Sequence, residues 1–118
     1  MTGFAVCRLK AAGAIIALAL PCLLAPAQAS AEDMMKSARD LGELHGAAIY
    51  CRQKNTDSFG RLAMGWLQRH GGGQFEKLRD TYGLRVIETA HQPPTYAAGG
   101  SCAGFAEKYR DAWIRLKG

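Results

Sequence analysis

The sequence is poor in the residue groupings that mark a catalytic centre. It has only three histidines, and His45, His70 and His91 fall in three different predicted elements with no metal-ligand spacing between any two. A transition-metal site would have to be assembled with methionine sulfurs such as Met34, Met35 or Met64, which is the weaker reading. No Cys-x-x-Cys pair occurs, which excludes haem attachment of the Cys-x-x-Cys-His kind and a thioredoxin-like redox couple. No serine sits in a nucleophile elbow and no glycine-rich loop runs into a lysine, so neither hydrolase nor phosphate-loop chemistry has a carrier. The run His70-Gly71-Gly72-Gly73 has the glycines of a lipase oxyanion loop without the elbow serine, and reads as a helix-ending linker. Glu76 and Asp80, four apart, are the nearest approach to paired carboxylates; beside Lys77 and Arg79 they read as an ordinary charged face. The expectation is a protein that is not an enzyme, with no cofactor and no metal.

An excess of one charge is lacking as well. The formal net charge is +5, and two of the 15 Lys and Arg residues, Arg8 and Lys10, belong to the leader described next. The rest are interspersed with the acids, which suits a soluble exported protein and implies no nucleic-acid partner.

Only one long apolar run exists. Arg8 and Lys10 precede the apolar stretch 11–24, and the small residues 25–31 follow. These are the three regions of a secretory signal peptide, residues 1–31, with cleavage expected after Ala29 or Ala31. Pro21 interrupts the run, which is shorter than the roughly 20 residues of a membrane span, so no stable membrane anchor is expected. A bacterial lipoprotein signal resembles a leucine-led box with a small residue before the cysteine. Pro21 stands before Cys22 here, which argues against lipidation. The expected location is the periplasm or the extracellular medium.

Residues 32–118 then form one small domain with just two cysteines, Cys51 and Cys102, in an oxidising compartment. A single intramolecular pairing is possible, and a disulfide is expected. Closing a loop of about 50 residues restricts the unfolded chain by roughly 4 kcal/mol, comparable with the whole stability of many small domains.

What is abundant is helical periodicity. Met34, Ala38, Leu41, Leu44 or His45, Ala48 and Cys51 recur at steps of three and four after the acidic start Glu32-Asp33. Gly42 and Gly46 leave this helix thin on one side, either because another helix packs close there or as two unpacked surface glycines. Thr56 or Asp57 is expected to cap a second helix with Phe59, Leu62, Ala63, Trp66, Leu67 and His70 on one stripe and Trp66 as a main core residue. Gly71 to Gly73 end it.

The stretch from Gln74 to Gln92 is expected to form one bent helix through Gly83, with Phe75, Leu78, Tyr82, Val86, Ile87 and Ala90 as its stripe. A break at Gly83, or a strand over 84–87, is the alternative. Pro93 and Pro94 stop it. Ser101 is expected to cap a last helix that turns Cys102, Phe105, Ala106, Tyr109, Ala112, Trp113 and Leu116 inward. The fold class is therefore all-α, a small bundle of three to five helices stapled by one disulfide. Whether the bond joins a corner or an antiparallel return stays open.

The wide pair Cys51 and Cys102 in a short exported helical chain resembles the small periplasmic acid-stress chaperones of the HdeA kind, across residues 32–118. The resemblance implies partner-binding surface released in acid. Independently of it, Tyr96 is the residue most suited to meet a partner. It lies in a proline- and glycine-rich loop, where an aromatic either packs back or faces another protein. The functional expectation is an exported protein-binding module, an accessory subunit or stress-related chaperone, with another envelope protein as partner and self-association possible. The alternative is a small-ligand or metal carrier using the space between helices and His45 or His70.

Overall fold

The computed structural model describes residues 30–118; the expected signal peptide up to residue 29, including Cys22, lies outside the described residues. Four α-helices follow one another: α1 Ala31–Tyr50, α2 Thr56–Gly71, α3 Phe75–Thr89 and α4 Cys102–Lys117. Single 3-10 turns, Gly72–Gln74 and Tyr96–Ala98, precede α3 and α4. Among the described residues there is no strand, so the 84–87 strand alternative is not realised. No helix there is long and apolar enough to cross a membrane.

Each junction has a local cause. Helix α1 ends where Arg52 takes a left-handed backbone (φ 59°) and the Gln53 amide donates back to the Ala48 carbonyl, a closure usually given to glycine. Asn55, also left-handed at φ 65°, opens α2 without a side-chain cap, so the expected capping by Thr56 or Asp57 does not occur. Thr56 already belongs to the first turn. Gly72 supplies the positive φ of 55° at the α2–α3 corner. Helix α3 runs unbroken through Gly83, as the single-helix reading expected. Ser101 does cap α4: its hydroxyl accepts the Gly104 amide at 3.0 Å.

The helices alternate in direction. Gly42 and Gly46 of α1 lie against Tyr82 and Thr89 of α3 in the same order, so these two run parallel. The α2 residues Gly60 and Gly71 meet α1 at His45 and Met34, the reverse order. Cys51 and Cys102 are bonded with Cα atoms 5.6 Å apart, while Leu116 lies near Ser37 and Leu41. The bond therefore closes an antiparallel return of α4 along α1. Helices α1 and α2 each pack on the other three.

The two α1 glycines are contact glycines. A Cβ on Gly42 would stand 2.6 Å from the Tyr82 carbonyl oxygen, and one on Gly46 would stand 2.8 Å from that of Val86. Backbones approach too closely there for any side chain.

The core is built from Phe59, Leu67, Leu78 and Phe105, all fully buried, with Ala38, Ala48, Ala63 and Ala112 closing the helix contacts. Three expectations about facing are corrected. Trp66 is half-buried rather than central, because Phe59, Ala63 and Leu67 define the inward line of α2 and Trp66 sits beside it. Its indole stacks on His70 with ring centroids 4.3 Å apart. Cys102 and Ala106 are exposed, since the α4 stripe runs through Phe105, Tyr109, Ala112 and Leu116. Ile87 is 63% exposed, because Tyr82 and Thr89 face α1 and turn it outward.

Candidate interaction site

The link between α3 and α4 is where the chain builds its most deliberate surface feature. Thr95 is extended at φ −71° and ψ 172°, and its hydroxyl accepts the Ala98 amide, capping the short turn Tyr96–Ala98. The same hydroxyl donates to the Glu43 carboxylate of α1. Gly99 follows at φ 114°, where a Cβ would run into the Gly104 and Phe105 backbone, so the turn is pressed onto the start of α4. Cys102, bonded to Cys51, lies just beyond. Held from both sides, the turn presents Tyr96 at 94% exposure. The expectation left two uses for this side chain, packing back or facing outward, and it does not pack back.

Glu43 anchors this arrangement, and no sequence pattern marked it. It is only 9% exposed, bonded to Thr95 and paired with Arg85 of α3 at 3.2 Å. Arg85 also holds Glu88 at 3.0 Å, and these two carboxylates push its guanidinium further above its ordinary range. A buried carboxylate with hydrogen bonds from two elements costs little to keep and much to orphan. Lys36 and Asp40 precede it by seven and three positions, so in sequence it reads as one more charge on a polar face. Its partners, 42 and 52 residues downstream, are not local.

Beside the turn a cleft of about 360 Å³ opens between α1 and α4. Ala98, Ala112 and Leu44 line it together with Glu43, Lys36 and Asp40 from α1 and Lys108, Asp111 and Arg115 from α4. Lys36 and Asp40 pair with each other at 2.8 Å. Among the described residues Lys108, Asp111 and Arg115 form no ion pair. Two further hollows adjoin it, one sharing Asp40 and Arg115 and reaching Trp66, the other sharing Ala97, Lys108 and Asp111 and reaching Tyr96. The outcome is a mixed-charge furrow with an aromatic at each end.

The histidines stay apart. His45 is half-buried where three helices meet: Nδ1 is hydrogen-bonded to the Tyr82 hydroxyl and the ring stands edge-on to Phe59 at 6.0 Å. Burial pulls its pKa below the ordinary value, partly opposed by the Asp57 carboxylate. The same burial pushes the Tyr82 phenol far up, reinforced by Tyr109, whose own hydroxyl is buried with no hydrogen-bond partner among the described residues. His70 is exposed with Nδ1 2.9 Å from the Trp66 carbonyl oxygen, and His91 is exposed. Met35 sulfur accepts from the Thr81 hydroxyl at 3.9 Å. Among the described residues no three His, Cys, Asp or Glu side chains are grouped to hold a metal ion.

Comparison with known proteins returned no match to a family model, a curated protein or a solved structure.

Proposed function

We propose that this is an exported, non-enzymatic protein-binding module of the bacterial periplasm, whose contact face is the α1–α4 cleft with Tyr96 at its mouth. The observation that carries the reading is Tyr96 itself, 94% exposed on a turn tied down by Thr95, Glu43 and Gly99. A large amphipathic ring on a backbone already tied down has only its two side-chain torsions to lose on binding, and such anchors dominate interface energies. Lys108 and Asp111 beside it, and Arg115 further along the cleft, form no ion pair among the described residues and can select a partner by charge. The leader and the disulfide support an oxidising compartment.

A carrier role has less behind it. The cleft volume falls in the ligand range, but charged walls line it, and the two histidines suggested for it are engaged by Tyr82 and the Trp66 carbonyl.

The test is a photo-crosslinking residue at position 96 in living cells, with position 114 of α4, 65% exposed, as control. A discrete product from position 96 alone makes the protein an accessory subunit. Many products, appearing only after acid shock, make it a stress-related chaperone of the kind it resembles. No product from position 96 at either pH refutes the reading.

A further inference from the structure

Among the described residues nothing covers the outer face of α3. Leu84 and Ile87 stand one turn apart there at 64% and 63% exposure, turned away from the side that receives α1. Gly83 lies beside them, and a Cβ on it would meet nothing within 4 Å. Gly42 and Gly46 are demanded by a neighbouring helix, whereas nothing among the described residues demands Gly83. Asp80 precedes Leu84 by one turn and His91 follows Ile87 by one turn, both exposed. Ala90 keeps helical angles, so the phase carries to the position before His91. The series Asp80, Leu84, Ile87, His91 therefore has steps of four, three and four, symmetric in spacing and complementary in chemistry when reversed.

We propose that this face joins two copies of the chain, α3 lying antiparallel on its counterpart about a two-fold axis between Arg85 and Val86. Leu84 then packs on the partner's Ile87. The Asp80 carboxylate accepts a hydrogen bond from the partner's His91, and Gly83 leaves room opposite the partner's Glu88. A two-fold contact needs a self-complementary patch, and this pattern is one. A parallel pairing would set Asp80 against Asp80 and is disfavoured by charge. With two aliphatic side chains per copy at its centre, the contact belongs to the small, weak class of interfaces, so the dimer is expected to form only at high protein concentration. No residue of α3 lines the α1–α4 cleft, so this contact is independent of the function proposed above.

Sedimentation equilibrium of the oxidised protein from about 10 µM to about 1 mM tests it. The mass should rise from monomer to dimer. Leu84→Glu or Ile87→Glu should abolish the rise, while Ile114→Glu, at 65% exposure on α4, should leave it intact. All three positions face water, so circular dichroism should show the fold unchanged. Asp80→Lys should weaken association by about tenfold, and adding His91→Asp should restore it. A monomer throughout overturns the proposal, as does association that survives both glutamate substitutions or is lost equally with Ile114→Glu. Failure of the charge exchange overturns the antiparallel register.

Discussion

Replacing glycine by alanine at two helical positions should move stability in opposite directions, for reasons that can be worked from the structure. At Gly83 the added methyl meets open space. The substitution then gains only helix propensity and lost freedom of the unfolded chain, about 1 kcal/mol. At Gly46 the same gain is opposed by collision with the Thr89 hydroxyl and by the Val86 carbonyl oxygen at 2.8 Å. A side chain can rotate away, but a carbonyl in the middle of α3 moves only with its helix. Overpacking of this kind costs about 1–3 kcal/mol, and a backbone obstacle puts Gly46→Ala at the upper end, a net loss of about 2 kcal/mol. Urea unfolding followed by circular dichroism at low protein concentration measures both. For a unit of this size, melting points should part by more than about 10 °C. Gly46→Ala combined with Thr89→Ala should recover part of the loss and not all, because the Val86 carbonyl remains. Equal shifts at positions 46 and 83 would refute the account of α1 and α3 as a contact made through missing side chains.

Reduction, or Cys51→Ser with Cys102→Ser, should cost about 4 kcal/mol, because the bond spans 51 residues; thermal melts with and without reductant read it. Phe59→Ala, at a fully buried position, should cost about 3–5 kcal/mol by cavity formation, and half-buried Trp66→Ala clearly less. Glu43→Gln should lose about 2 kcal/mol by leaving Arg85 without its buried carboxylate, and should loosen the Tyr96 turn, seen as faster amide exchange at Ala98. His45 titrates lower in the folded state than its unfolded value of 6.5, so the unfolded chain takes up the proton first. Its contribution is full above pH 6.5 and is lost as pH falls from there through the folded pKa. His45→Gln should flatten that part of the stability profile between pH 7.5 and pH 5.

The helices and their staple were legible because both rest on local or countable signals. The stripe from Met34 to Ala48 needs only a period, and two cysteines in residues 32–118 allow a single bond. Trp66 was misplaced because its stripe, from Phe59 to His70, is wider than the line one helix can bury. Size suggested the centre, while the path Phe59, Ala63, Leu67 chose it. Ile87 failed for a related reason: α3 is weakly amphipathic, and its contact side is fixed by two glycines on another helix. Those glycines admitted two readings because a glycine states that something is absent without stating what approaches. Glu43 was invisible for want of any local partner. Tyr96 was singled out by composition alone, and its direction depended on Thr95 reaching a residue 52 positions earlier.

The Gly71–Gly73 corner lies inside the covalent ring closed by Cys51 and Cys102, and Gly72 and Gly73 are exposed there. A protease that cuts this corner separates two polypeptides, each holding two helices and one half of the cystine. The nicked protein therefore gains only the mass of one water, stays joined through the cystine, and falls into two pieces only when a thiol is added.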